Sequence, residues 1–347
     1  MSLGPLMIDL RGTAVAPDER EWLRSPLVGG VILFTRNFAS LEQLEAQVEE
    51  IHAVRQPPLL VTVDHEGGRV QRFREPFFRL PPLRLLGHLY DENPSAALQT
   101  AAAFGWLMAA ELRAVGVDMS FTPCVDLDLG LAEVIGDRAL HVDAKAVATL
   151  ARRFAAGAKR AGMAVTAKHF PTHAGARSDS HTEFAVDRRS YDELVDDLLP
   201  YRELIANGLP AVMIAHVSFP AVDSTPASLS RWWIQEQLRG ELGFAGAVIT
   251  DDVSMVGAAV VGPVEERVRL ALDAGCDLVL LCNAPEQVPI VLESLHGYVN
   301  PSAQLRLTRL HGRGSVPWES LHASAEWQKA RALVAPLCAR PKLELEG

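Results

Sequence analysis

Residues 246–251, GAVITD, form a short apolar run that ends in a carboxylate. The run is continuous rather than alternating, which is typical of a strand buried on both faces of a parallel sheet. Further runs of the same character occur along the chain at 6–10, 29–34, 59–64, 117–123, 163–169, 211–216 and 277–283. The chain therefore contains eight predicted parallel strands.

Stretches with helical periodicity separate these runs, at 41–55, around 96–114, and at 144–162, 191–208, 230–243 and 263–275. Several carry residues typical of helix ends. Ser40 and Ser190 are predicted to cap helix N-termini. Glycines are predicted to stop helices at positions 162, 208, 243 and 275. The alternation of strands and helices thus runs through most of the chain.

Strand–helix alternation predicts an α/β fold of the (β/α)8 TIM barrel type, which takes about 250 residues or more. A doubly wound open sheet is the alternative. The barrel is favoured because most runs end in polar residues, which a barrel gathers at one face. These residues are Asp9, Thr35, Arg36, Asn37, Asp64, Asp126, Asp128, Lys168, His169, His216, Asp251, Asp252 and Asn283. We expect one domain over 1–347, with the barrel at about 4–300 and a helical tail at about 301–347 packed against it.

The composition excludes several classes of protein. The chain has 347 residues, 48% of them apolar, and a formal net charge of −10, which argues against a nucleic-acid partner. The four cysteines lack CxxC spacing, so a reducing, cytoplasmic location is expected. The N-terminus shows no signal-peptide pattern, and no run is long enough to span a membrane.

The segment VITDDVSM, 248–255, places two carboxylates at the end of the seventh predicted strand. If the strand continues through them, neighbouring side chains point to opposite faces. We predict that Asp251, which is closer to the apolar run, faces the barrel mouth as a catalytic group. In the alternative interpretation one aspartate caps the next segment and the other is solvated.

The segment VDHEGGRVQRF, 63–73, combines Asp64 and Arg72 after the third predicted strand. Together they can bind sugar hydroxyls through charge-assisted hydrogen bonds, although a structural ion pair would have the same sequence. Gly67 and Gly68 allow a sharp turn or close approach to a ligand. Arg138, in IGDRAL (135–140), is a weaker candidate on the loop after the fourth strand.

The segment KHFPTHAGARSDSH, 168–181, begins with Lys168 and His169 at a strand end and continues into a loop. There, Asp179 can accept a hydrogen bond from His181 and raise its pKa, which suits proton transfer near neutral pH. Simple solvation of His181 is the alternative. A metal site formed by His169, His173 and His181 is disfavoured because no metal-binding spacing such as HExxH occurs.

Together, these three segments, IGDRAL and MIAHVSFP (213–220) resemble glycoside hydrolase family 3. More narrowly, they are similar to its bacterial cytoplasmic β-N-acetylglucosaminidases of peptidoglycan recycling. The resemblance implies that Asp251 is the nucleophile, His181 the acid/base and Asp179 its partner. It also implies which residues hold the terminal sugar: Asp64, Arg72, Arg138, Lys168 and His169.

The resemblance implies a saccharide partner, N-acetylglucosamine linked to anhydro-N-acetylmuramic acid peptides. No metal or organic cofactor and no membrane partner is expected, and we expect a monomer or weak homodimer. A metal-dependent barrel hydrolase and a non-catalytic sugar-binding protein are the alternatives. The chain departs from the family motifs at Thr172 and Ala174, which replace glycines, and at His65, which more often is glutamine.

Overall fold

Eight parallel strands close into a barrel, which confirms the predicted (β/α)8 fold. The computed structural model describes residues 3–176, 185–255 and 261–339. Its strands are β1 (Leu6–Asp9), β2 (Val28–Leu33), β3 (Leu60–Val63), β4 (His65–Gly67), β5 (Val70–Gln71), β6 (Met119–Ser120), β7 (Ala164–Phe170), β8 (Ala185–Val186), β9 (Ala211–Ile214), β10 (Val217–Ser218), β11 (Ala247–Asp252) and β12 (Leu278–Leu281). The short strands β4 and β5 pair with each other, as do β8 and β10, outside the barrel.

The barrel strands follow the order β1, β2, β3, β6, β7, β9, β11 and β12, and the last pairs with the first. Leu6 of β1 is in register with Val279 of β12, which closes the barrel. Every neighbouring pair is parallel, so the carboxyl ends of all eight strands meet at one rim.

Twelve helices of the described residues surround the barrel or form the tail. They are α1 (Pro17–Arg24), α2 (Leu41–Ala53), α3 (Arg84–Glu92), α4 (Pro94–Ala114), α5 (Ala144–Arg160), α6 (Val195–Ala206), α7 (Trp232–Glu241), α8 (Val264–Ala274), α9 (Val288–Ser294), α10 (Pro301–Thr308), α11 (Trp318–Ala323) and α12 (Ala325–Cys338). The six predicted helices correspond to α2, α4, α5, α6, α7 and α8, although α7 has π-type hydrogen bonds.

The predicted helix ends agree with the structure at most positions. The Ser40 hydroxyl accepts a hydrogen bond from the Gln43 amide at 3.2 Å and caps α2. Ser190 does not cap a helix in this way, because its hydroxyl donates to the Glu193 carboxylate at 2.7 Å. The glycines at 162, 208, 243 and 275 all have positive φ, as expected for residues that end helices.

Two hydrophobic cores lie on either side of the strands. The inner core fills the barrel and is formed by alternate side chains such as Met7, Leu60, Met213 and Ile249. The outer core packs the helices against the strands. Filling both faces explains why the strand sequences are continuously apolar.

The C-terminal tail closes the amino-terminal end of the barrel. Leu307, on α10, and Leu310, just after it, are buried within the inner core, and Arg306 pairs with Asp277 just before β12 at 2.7 Å. Helix α12 packs against α4, where the Trp327 indole donates to Glu111 at 2.9 Å. In the described part of the chain, none of the helices has both the length and the hydrophobicity needed to cross a bilayer.

Candidate active site

Charged side chains converge at the rim where the strands end. The Lys168 ammonium, on β7, lies 2.9 Å from Asp64, which follows β3. The Arg72 guanidinium, after β5, donates to the other Asp64 oxygen at 3.3 Å and lies over the Phe34 ring. The structure therefore brings together three of the residues predicted to hold a sugar.

Glu66, which the sequence analysis did not select, lies at the centre of this group. Its buried carboxylate accepts from Lys168 at 2.7 Å and from Arg138 Nε and Nη2 at 3.0 and 2.9 Å. We call Asp64, Glu66, Arg72, Arg138 and Lys168 the charge cluster. Arg138 thus lies beside the ends of the strands, although it is 72 residues away from Glu66 in the sequence.

The charge cluster stabilises its own ionised forms. Burial alone would raise the pKa of Glu66, but Arg138 and Lys168 outweigh it and hold that pKa well below its usual range. Burial also opposes ionisation of Lys168, yet Asp64 and Glu66 raise its pKa above the ordinary value. The pKa of Asp64 is lowered because Lys168 and Arg72 outweigh its desolvation.

Gly67 and Gly68 form the turn between β4 and β5, as one of the two predicted roles requires. Both have positive φ, and a Cβ on Gly67 would lie 2.4 Å from the Pro81 carbonyl. Their close approach is therefore to the protein's own backbone. The neighbouring Arg69 donates to Asp137 at 3.0 Å and to three carbonyls of 133–135, which holds the loop that carries Arg138.

His169 is held by a second carboxylate that the sequence analysis did not select as a site residue. Its Nδ1 lies 2.7 Å from Asp126, while its Nε2 lies 3.3 Å from Arg138 Nη2. A guanidinium only donates, so Nε2 accepts and the ring proton is on Nδ1. Burial would raise the pKa of Asp126, but contacts led by His169 lower it to about 2.

Asp126 also holds the backbone that follows β7. One of its oxygens accepts from the amide of His173 at 2.8 Å, and the other accepts from the amide of His169 at 3.2 Å. The imidazole of His173 is buried, and burial together with His169 lowers its pKa to about 4. Asp251 opposes this shift, which places its charge near His173. The predicted acid/base His181 and its partner Asp179 lie outside the described residues.

The two aspartates at the end of β11 have different surroundings. Asp252 accepts from the amide of Cys282 at 3.0 Å and from the Ser254 hydroxyl at 2.6 Å, so it ties β11 to β12. Burial raises the pKa of Asp252 to about 6. Asp251 accepts from the Asp252 amide at 2.9 Å and lies on the side of His173. That Asp251 faces the barrel mouth as a catalytic group stays a prediction.

A third set of polar side chains connects the carboxyl ends of β1, β2 and β12 at the rim. Arg36 contacts Asp9 and donates to the Asn283 side chain at 3.0 Å, and the Asn283 amide donates to Asp9 at 2.8 Å. Asn283 has a positive φ of 56°. These contacts link polar ends of three strands that the sequence analysis expected at one face.

Among the described residues, Cys124, Asp126 and His169 are close enough to share a metal ion, with potential ligand atoms within 4.8 Å. Their present contacts fit a hydrogen-bonded network better. The thiol donates to Asp126 at 3.3 Å, and burial raises the pKa of Cys124 well above its usual value, which disfavours the thiolate that binds zinc. Two surface clefts of about 690 and 520 Å³ lie among the outer helices and the tail, and neither contains a predicted site residue.

Comparison with known proteins bears on this arrangement. A sequence profile of the glycosyl hydrolase family 3 N-terminal domain matches residues 6–309. The chain is 51% identical over 346 residues to a β-hexosaminidase of Thioalkalivibrio sulfidiphilus, and the match covers all of both chains. It is 53% identical over 314 residues to a β-hexosaminidase of Nitrosospira multiformis, covering 90% of each.

Among solved structures, NagZ from Neisseria gonorrhoeae in complex with N-trifluoroacetyl-D-glucosamine is similar to this chain. The TM-score is 0.92 at 41% identity, and the match covers 98% of this chain and 99% of that one. The similarity therefore includes the whole barrel and its tail.

Proposed function

The chain belongs to glycosyl hydrolase family 3 and is a glycoside hydrolase of the β-N-acetylhexosaminidase type, and on this premise we propose that it removes terminal β-linked N-acetylglucosamine. Membership confirms the resemblance predicted from the motifs. The observation that carries the proposal is the charge cluster at the barrel rim, whose cations and carboxylates can bind several hydroxyls of one sugar. The aminosugar analogue bound by the Neisseria protein supports the choice of sugar.

The proposed substrates are anhydro-muropeptides, cleaved from the non-reducing end during cell-wall recycling in the cytoplasm. All four cysteines are described and none forms a disulfide, which agrees with a reducing compartment. Asp64 accepts from sugar hydroxyls, while Arg72, Arg138 and Lys168 donate to them. His169 Nε2 would accept from a sugar hydroxyl in place of its present donor, Arg138 Nη2. Such bonds contribute to rate where they tighten in the transition state.

The proposed reaction has two steps and retains the configuration at the anomeric carbon. Asp251 attacks that carbon and forms a glycosyl ester, while the glycosidic bond breaks and His181 gives its proton to the departing oxygen. Water then attacks the same carbon, His181 takes a proton from it, and the carboxylate of Asp251 is released. Asp179 orients His181 in both steps.

A histidine acid/base has a physical rationale beside a carboxylate nucleophile. Most retaining enzymes use two carboxyl groups, and the second is anionic once it has given up its proton. An imidazole is neutral at that stage, so it adds no negative charge beside Asp251. The predicted pair of Asp179 and His181 would supply this group from the loop after β7.

Substrate-assisted cleavage is the nearest alternative, because the acetamide of the sugar could attack in place of Asp251, with Asp251 and Asp252 assisting. A slow 2-fluoro glycoside separates the two mechanisms. The covalent mechanism predicts a glycosyl mass added to the peptide that contains Asp251. Turnover of the fluoro sugar with no labelled peptide would contradict it. Phosphate in place of water would give a sugar phosphate as the product.

The proposed function is tested by hydrolysis of a chromogenic β-N-acetylglucosaminide beside the matching glucoside. We expect the wild type to prefer the aminosugar, and Asp251→Asn and His181→Ala to lose most of the activity. Loss of activity with a chelator would favour a metal-dependent hydrolase. Binding of muropeptide without turnover, unchanged in Asp251→Asn, would favour a sugar-binding protein.

A further inference from the structure

We infer that Glu66 is a positioning residue for the aminosugar, acting through Lys168 and Arg138 rather than through contact with the substrate. The inference rests on the proposed function and adds to it a residue that increases the affinity for the sugar. Glu66 is 1% exposed and lies behind the two cations. It is the carboxylate that contacts both of them.

The hydrogen bonds to Glu66 fix the directions in which the cations can donate. Lys168 has three N–H donors, of which one faces Glu66 and one faces Asp64, so the third has a defined direction. Arg138 directs Nε and one Nη2 hydrogen to Glu66, and Nη1 also donates to the Val134 carbonyl at 3.0 Å. The two hydrogen bonds to one carboxylate fix the plane of the Arg138 guanidinium, whereas a single hydrogen bond would let it rotate.

Charge gives a second reason for a carboxylate at this position. Lys168 and Arg138 are both buried and repel each other, and Arg138 lowers the pKa of Lys168. Glu66 lies between them and compensates this repulsion at distances of 2.7 to 3.0 Å. Two cations can thus point at one neutral ligand without a counterion from solvent.

A purely structural ion pair is the competing explanation, and ligand affinity separates the two. Glu66→Gln preserves the size of the side chain but removes its charge and turns one acceptor into a donor that faces Arg138 or Lys168. We expect the KM for the chromogenic β-N-acetylglucosaminide, and the Kd for free N-acetylglucosamine measured by calorimetry, to rise about 10- to 100-fold. The kcat should fall less than the affinity.

The matched control is Glu203→Gln. Glu203, on α6, pairs with Arg152 of α5 at 3.1 Å, and this exposed ion pair lies outside the charge cluster. Its replacement should leave KM and Kd within about threefold of wild type. A Glu66→Gln enzyme with wild-type Kd and KM and a lowered unfolding midpoint would overturn the inference and leave a structural ion pair.

A double-mutant cycle tests the route of the effect. If Glu66 acts through both cations, Glu66→Gln should raise the Kd by a smaller factor in an Arg138→Gln background than in the wild type, because only the route through Lys168 is left. Full additivity would contradict the inference. If Glu66→Gln does not fold, Glu66→Asp decides, because it keeps the charge and shortens the reach; a wild-type Kd in that variant would overturn the positioning role.

The failures of the two proposals are distinguishable. A wild-type protein that neither cleaves the aminosugar substrate nor binds N-acetylglucosamine overturns the proposed function and this inference together. A wild type that cleaves and binds, beside a Glu66→Gln variant with unchanged affinity, overturns the role of Glu66 alone.

Discussion

The charge cluster and the aspartate pair at 251 and 252 lie at the same rim but follow opposite electrostatic rules. In the cluster, each buried charge contacts a partner of opposite sign, so the pKa values of Glu66 and Asp64 lie below their usual range. In the pair, burial and the neighbouring charge of Asp251 raise the pKa of Asp252 to about 6. One region is built to stay ionised, and the other places two carboxylates side by side.

This difference agrees with a division of labour. A site that holds a neutral sugar needs donors and acceptors whose protonation does not change during turnover. In the proposed mechanism Asp251 is instead the nucleophile, which must form and release a bond to the sugar. The neighbouring Asp252 makes structural contacts with the Cys282 amide and the Ser254 hydroxyl.

The largest effect is expected when the proposed nucleophile, Asp251, is replaced. Asp251→Asn should lower kcat for the chromogenic β-N-acetylglucosaminide by about 10³-fold or more, because the amide cannot form the glycosyl ester. The measurement is steady-state turnover beside Asp252→Asn as the control. The control should lose less than about tenfold, since Asp252 bonds to backbone and Ser254. Equal losses in both variants would contradict the assignment of Asp251.

The next effect concerns the carboxylate that holds His169 at the edge of the charge cluster. Both oxygens of Asp126 accept N–H groups, so Asp126→Asn must place an amide N–H against either His169 or His173. We expect kcat/KM to fall about 10- to 100-fold. Asp128→Asn is the control, because Asp128 pairs with Arg84 at 2.8 Å instead. A wild-type kcat/KM in Asp126→Asn would show that the contact is dispensable.

His65, which precedes Glu66 on β4, should make the stability of the protein depend on pH. Burial, with Arg74 and Arg72 nearby, lowers its pKa to about 3, and its Nδ1 has no partner among the described atoms. Because the folded pKa lies below the unfolded value of 6.5, the stabilising contribution is complete above pH 6.5 and is lost as pH falls toward 3. The loss should be about 2 kcal/mol at pH 5.

His65→Gln, the residue that the family motif more often carries, should remove this pH dependence. The measurement is the free energy of unfolding by denaturant between pH 5 and 8. His296→Gln is the control, since His296 is exposed. An acid limb of the same slope in wild type and His65→Gln would disprove the burial argument.

The smallest effect is expected for the pH response of Asp252. Its folded pKa of about 6 exceeds the unfolded value of 3.8, so its contribution to stability is complete below 3.8 and is lost as pH rises to about 6. Asp252→Asn should therefore gain stability relative to wild type across this window. The same denaturant titration checks it, and a difference that is flat with pH would contradict the raised pKa.

Sequence patterns predicted the barrel because its strands are buried on two faces. Such strands are continuous apolar runs, which can be recognised locally at 246–251 and 59–64. The patterns also predicted Asp64 and Lys168 at one face of the barrel, since both lie at the ends of predicted strands. Glu66 was missed because its role depends on Arg138, which is 72 residues away. The available signal was a charged residue inside VDHEGG, directly after a buried strand.

Asp126 was seen as a polar strand end but not as a site residue, because its partners are 43 and 47 residues away. The π-type hydrogen bonding of α7 was not predicted, since the apolar pattern of 230–243 is also typical of an α-helix. Side-chain networks between loops depend on geometry that only the closed barrel supplies. The strand ends therefore predicted where the candidate site lies, and the fold showed which carboxylates contact its side chains.

Because the inner core and the tail fill the barrel, no ligand can pass through it from one end to the other. Met7, Leu60 and Met213 fill its middle, and Leu307 and Leu310 block its amino-terminal end. In the proposed reaction, substrate and products therefore share one opening at the rim. The terminal aminosugar binds deepest, so the rest of the substrate must leave before the released monosaccharide can follow by the same route.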